Sequence, residues 1–121
     1  TSRLKLLPKA QGPFTEALRK NNLNAEAALR AVGGSLERHA ITGEVLTLNL
    51  SSTRIDNDDL EHLAALFQPR VLDLTDTDIT DSASRHLAGW ASLRVLKLGR
   101  TRLSKKAVKQ LNYYSPGLSI Q

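Results

Sequence analysis

The sequence predicts an α/β solenoid, in which strand–turn–helix units stack so that the strands form a parallel sheet on one side and the helices a layer on the other. Three observations predict it. From residue 45 onward the chain repeats itself at a constant offset of 24 residues, with no gap needed across three copies. Within each copy, leucines alternate with polar residues in "LNL", "LDL" and "LKL", the period of a strand with one buried face. Each strand pattern is then followed by Thr, a further apolar residue, a helix-capping residue type and an amphipathic stretch. One such unit cannot bury its own leucines, so neighbours must stack and the ends must be capped.

Taken in order, residues 1–13, with Pro8, Gly12 and Pro13, read as a linker. Phe14–Asn21 and Ala25–Val32 read as helices, the second with Asn24 as N-cap. Gly33–Gly34 ends it and permits a left-handed turn. "SLERHAITGEVLTLNL" reads as a strand, a turn at Thr42–Gly43 and the first repeat strand, a β-hairpin. Residues 14–44 thus form an N-terminal helix and hairpin cap. Three units follow, 45–68, 69–92 and 93–116, and "SPGLSIQ" starts a fourth strand with Leu118 and Ile120 inward.

The repeat columns explain themselves physically. Leu48, Leu72 and Leu96 align, as do Leu50, Leu74 and Leu98; Ile55, Ile79 and Leu103; and Leu63, Leu87 and Leu111. Thr53, Thr77 and Thr101 stand where the chain leaves the sheet, where a hydroxyl can bond turn backbone. Asp56, Thr80 and Ser104 are N-cap types, and predict helices over 57–66, 81–90 and 105–114. The inward residues are Leu60, Leu63 and Leu66 in the first, Ala83, Leu87 and Trp90 in the second, and Ala107, Val108, Leu111 and Tyr114 in the third.

Composition bounds the function. The chain of 121 residues is 40% hydrophobic and 24% charged, an ordinary globular balance. It has no cysteine, which excludes a disulfide framework, a thiolate zinc site and a cysteine nucleophile. No apolar run approaches a membrane span, so no integral membrane segment is expected. The chain opens without Met and without a signal peptide, pointing to a processed protein or an excised domain. An exported or periplasmic setting is favoured over a cytoplasmic one. Net charge is +5, but residues 45–68 carry −3, residues 69–92 carry −2 and residues 93–121 carry +7. An acidic middle therefore adjoins a basic end.

The segment "LDLTDTDITDSASRHLAGWASLRVL" resembles the short 24-residue, GALA-like bacterial subclass of the leucine-rich repeat proteins. The lead-in "AALRAVGGSLERHAITGEVLTLNL" is similar to the helix–Gly-Gly–hairpin segment before such arrays. The resemblance covers residues 25–121. It implies a concave, strand-lined face, helices on the convex side, and a protein-binding scaffold. The chain departs from the pattern at two columns. Ser52, Asp76 and Arg100 replace a common Gly before the Thr, and Asp59, Ala83 and Ala107 replace a Gly in the helix.

On that geometry the concave face shows Thr47, Asn49, Ser51 and Ser52 in the first unit, and Val71, Asp73, Thr75 and Asp76 in the second. Val95, Lys97, Gly99 and Arg100 follow in the third. Strands lie about 4.8 Å apart, so Asp73 can pair with Lys97, and Asp76 with Arg100. The expected function is non-catalytic protein binding or scaffolding through this face, with an unidentified protein as partner. The alternative is electrostatic binding of an anionic partner, whether nucleic acid, acidic protein or lipid surface, through the basic third unit. Its candidate patch is Arg94, Arg102, Lys105, Lys106 and Lys109, beside Lys97 and Arg100. Tyr113 and Tyr114 follow the charges in sequence rather than interleaving with them, which counts against nucleic acid.

No catalytic constellation is present, and no enzyme activity, cofactor or metal is expected. There is no phosphate-binding glycine loop, nucleophile elbow or helical histidine pair. His62 and His86 share a column on successive helices, too far apart to meet easily at one metal. Asp56, Asp58 and Asp59 resemble part of a calcium loop but lack its Gly and distal Glu, and read as cap and helix-dipole charges. Asn49-Leu50-Ser51 is a formal glycosylation sequon, meaningful only in a eukaryotic secretory protein.

Overall fold

The computed structural model describes residues 13–22 and 24–121, so the linker expected over 1–13 lies, apart from Pro13, outside the described residues. Pro13 itself opens α1 (Pro13–Lys20), a position where its missing N–H costs nothing. Next come α2 (Ala25–Ala31), β1 (Ser35–Arg38) and β2 (Val45–Asn49). The first unit continues into α3 (Asn57–Leu66). The second holds β3 (Val71–Asp73), then a 3₁₀ turn (Asp81–Ala83) running into α4 (Ser84–Ala88). Last are β4 (Val95–Lys97), α5 (Lys105–Tyr114) and β5 (Ser119–Ile120).

The strands make one sheet in the order β1-β2-β3-β4-β5. β1 pairs antiparallel with β2, with an irregularity between Glu37 and Arg38, and the other neighbours are parallel. The solenoid expected from the repeat is corrected here. The sheet is mixed rather than parallel throughout, it is not curled around a concave side, and no solenoid is evident. Solenoid curvature accumulates from a small rotation at each stacked unit. Strands of three and two residues, closed on one flank by an antiparallel hairpin, leave little over which to accumulate it. The helix layer is uneven too: α3 and α5 have 10 residues each, whereas α4 has 5.

The periodic columns nevertheless sit side by side. Leu48, Leu72, Leu96 and Ile120 pair in register across β2 to β5. The three leucines are fully buried, as are Leu50 and Leu74 of the next column. Each buried leucine contributes about 1.5–3 kcal/mol through removal of its apolar surface from water. Thr53, Thr77 and Thr101 each donate a hydroxyl hydrogen bond to the carbonyl three residues back, of Leu50, Leu74 and Leu98, at 2.6, 2.7 and 2.8 Å. This closes the tight turn that leaves the sheet.

The helices cover one face of the sheet. α1 packs on α2 and α3, α3 on α4, and α4 on α5. Phe14 and Phe67 meet edge to face at 6.5 Å, and the buried Trp90 donates its indole N–H to the Phe67 carbonyl at 3.2 Å. Two inward assignments are corrected. Leu66 and Tyr114, each the last residue of its helix, are exposed, the buried stripes running instead through Leu60, Leu63 and the capping Phe67 and through Ala107 and Leu111. Gly34 stands at a close approach, since a Cβ there would sit 2.7 Å from Leu29 Cδ1 and 2.9 Å from Leu50 Cδ2 and force those buried leucines to shift.

Candidate functional site

The face of the sheet without helices carries the side chains that alternate with the buried leucines. Two rows cross it. One runs Glu37, Thr47, Val71, Val95, Ser119; the other runs Ser35, Asn49, Asp73, Lys97. The members on β2, β3 and β4 are half-buried and those on β1 and at Ser119 are exposed. Of the residues expected on the face, Thr47, Asn49, Val71, Asp73, Val95 and Lys97 are in these rows, whereas Ser51, Ser52, Thr75, Asp76, Gly99 and Arg100 lie past the strand ends, and the face is open rather than concave. Glu37, Ser35 and Ser119 are additions. Ser119 was legible from the offset of 24 beyond Val95, whereas Glu37 and Ser35 needed the hairpin register.

Asn49 and Asp73 hold the exits of their strands in the same way. Asn49 Oδ1 accepts from the Ser51 N–H at 2.9 Å and the Ser51 hydroxyl at 2.7 Å, and Asp73 Oδ1 accepts from the Thr75 N–H at 3.0 Å. A lysine has no acceptor, so Lys97 cannot repeat the device and its charge is left to the surface.

Next along the chain, Ser52, Asp76 and Arg100 form an exposed row at the sheet's edge, and all three are left-handed, with φ of 56°, 59° and 57°. This explains the glycine usual at that column. A non-glycine residue there costs about 1–2 kcal/mol. The backbone enforces the conformation: Ser52 N–H donates to Thr75 O at 2.9 Å and Asp76 N–H to Gly99 O at 2.7 Å. Across the row the Ser52 hydroxyl donates to Asp76 Oδ2 at 3.0 Å. The ion pairs expected between Asp73 and Lys97, and between Asp76 and Arg100, do not form. The salt bridges among the described residues are Arg19–Glu16, Arg38–Glu26 and Arg70–Glu44. Asp73 turns instead to a hydrogen-bond donor in its own loop, Thr75 N–H, and Asp76 to the Ser52 hydroxyl of the unit before.

The basic candidates separate into two places. Arg94 stands at the N-terminal end of β4, and with Arg38 and Arg70 lines a groove of about 410 Å³. Lys97, Arg100, Arg102, Lys105 and Lys106 gather where β4 ends and α5 begins, and Lys109 stands one turn further along α5. Lys105 and Lys106 occupy the first turn of α5, where the helix dipole disfavours cations. Ser104 caps that helix, accepting from Ala107 N–H at 3.2 Å. Asp81, from the preceding unit, accepts from the Ser104 N–H at 2.7 Å and hydroxyl at 2.8 Å. These two bonds, with Lys106 nearby, hold the Asp81 carboxyl below its ordinary range. A carboxylate thus stands at the dipole's positive end after all, supplied by a different unit.

The acidic candidates prove structural. Asp56 and Asp59 form a capping box at the start of α3. Asp59 is fully buried and also accepts from Phe14 N–H at 3.3 Å, Thr15 N–H at 3.0 Å and the Thr15 hydroxyl at 3.0 Å. One carboxylate therefore ties α1 to α3. Burial first, and then the Asp59 charge, push the Asp56 carboxyl above its ordinary value. Thr80, the expected cap of the second helix, makes no side-chain cap; its hydroxyl accepts from Asn57 Nδ2 at 2.7 Å. That loss accords with the 3₁₀ start and short length of α4. Asp81 and Asn57 share a column one residue after the cap, and each bridges to the cap residue of the next unit.

No group of three or more metal-ligating side chains is placed to hold a metal ion among the described residues, and no helix there is long and apolar enough to cross a membrane. Compared with known proteins, the chain matches no family model and no curated sequence.

Proposed function

We propose that this chain is a non-catalytic module that binds a protein partner through the open face of its sheet, the role implied by its resemblance to the leucine-rich repeat proteins. One observation carries the reading. Positions in strict register are alike on the buried side, Leu48, Leu72 and Leu96, and unlike on the open side, Asn49, Asp73 and Lys97. Packing constrains the first set; nothing within the chain requires the variety of the second. Half-buried Val71 and Val95 sit amid these polar groups, the mixture of apolar centre and polar surround that protein interfaces use. The left-handed row beside it adds Ser52, Asp76 and Arg100 at a backbone cost that glycine would avoid.

The test compares the two faces. Immobilised wild-type chain, Asp73→Lys and Glu61→Lys are incubated with native lysate. Glu61 is exposed on α3, across the molecule from the open sheet. Proteins retained by the wild type should be lost with Asp73→Lys and kept with Glu61→Lys. Equal retention by all three variants would overturn the open-face reading.

A further inference from the structure

The strongest charged surface is the C-terminal unit, and its geometry points to a ligand class that its sequence argued against. We infer that this unit binds a single-stranded nucleic acid along a cationic path ending on an exposed tyrosine pair. In sequence the tyrosines merely follow the lysines. On α5, however, Lys106, Lys109 and Tyr113 are spaced three and four apart and share the outward stripe, with neighbouring Cβ atoms about 5–6 Å apart. Lys106, Lys109 and Tyr113 are all exposed, and Tyr113 is 81% exposed. Tyr113 and Tyr114 lie edge to face at 5.3 Å and 88°, which supports the Tyr113 ring and leaves it room to stack on a base.

The path's shape selects among anions. Lys97 is on the open sheet face, Arg100 and Arg102 are on the loop that turns over the sheet's edge, and Lys106 and Lys109 are on the helical face. None of these cations takes part in the salt bridges among the described residues. A flat bilayer can meet only one of those sides at a time. A flexible polyanion can follow all of them, and its bases can stack on a ring at the end. Duplex nucleic acid is too stiff for so short a bend.

The path shares Lys97 and Arg100 with the open-sheet proposal, but the residues that test it, Lys106, Lys109 and Tyr113, lie on the helical side, so the two can fail separately. The experiment measures binding of fluorescein-labelled oligo-dT and oligo-U to the full chain by anisotropy over a salt series. A hairpin duplex and phosphatidylserine-containing vesicles serve as competing probes. Single strands should bind with an affinity that falls with salt, by a slope of about −0.7 per phosphate neutralised. Lys106→Ala with Lys109→Ala should flatten that slope by about 1.4. Tyr113→Ala should weaken binding about tenfold without changing the slope, and Tyr113→Phe should restore it, because stacking needs the ring and not the hydroxyl. No binding, equal binding of the duplex, preference for vesicles, or indifference to Tyr113→Ala would each overturn the inference. The last two would mark a lipid-facing or merely solubilising patch.

Discussion

The first unit, residues 45–68, and the third, residues 93–116, share their skeleton: buried leucines in register, the same Thr-to-carbonyl bond, a left-handed residue before that Thr, and a ten-residue helix. They differ at the helix start. α3 begins with a full capping box whose Asp59 reaches out to α1, while α5 begins with two lysines, a serine cap and a carboxylate borrowed from its neighbour. The buried positions answer to a packing problem that every unit shares. The helix starts answer to whatever lies beside them: another helix in the first unit, open surface in the third.

That contrast is most sharply tested by removing the buried carboxylate. Asp59→Ala leaves the buried Phe14 and Thr15 donors and the partly buried Asp56 N–H without their acceptor and should cost about 4 kcal/mol, whereas Ser104→Ala at the exposed cap should cost about 1 kcal/mol. Urea denaturation measures both, and equal costs would break the comparison. Next in size, Leu72→Ala should cost about 3 kcal/mol by leaving a cavity between strands on either side. In the other direction, Arg100→Gly should raise stability by about 1 kcal/mol by relieving the left-handed strain. Asp76→Gly should gain less, since it also gives up the bond from Ser52. A loss at Arg100→Gly would show that its side chain has a stabilising contact.

The smallest effects are on pH dependence, and the two carboxylates have opposite signs. Asp81 is held below its ordinary 3.8, so its contribution is present above that value and lost as pH falls through the lower folded value. Asp81→Asn should therefore have a lower urea midpoint than the wild type at pH 7 and converge with it in acid. Asp56 is held above 3.8, so its ionisation disfavours the native state as pH rises from 3.8 through the folded value. Across that window the midpoint of Asp56→Asn should rise relative to the wild type.

Local features were legible where one residue type answers one local need. The period of 24 foretold the register of Leu48, Leu72 and Leu96, the Thr bonds and the full extents of α3 and α5. The missing glycines foretold the row of left-handed residues only in hindsight, because a departure from a pattern does not say whether the backbone or the pattern yields. Asp59 was misread as a cap and dipole charge alone, since its other donors lie 44 and 45 residues away. Thr80 takes the N-cap position without a side-chain cap bond, and its partner is Asn57, 23 residues earlier, which no local pattern names.

The sequence by itself determined most of the residues that go inside, where the strands and most helices fall, and how adjacent strands align. Hydrophobic periodicity and capping chemistry act over a few residues and repeat wherever the pattern repeats. Only the tertiary structure decided that the sheet is uncurled, that Asp59 and Asp81 serve neighbouring elements, that Asp73 and Asp76 decline the cations opposite them, and that Tyr113 stands exposed against Tyr114. Those outcomes depend on the summed geometry of stacked units and on competition among partners far apart in the chain, which no window of sequence contains.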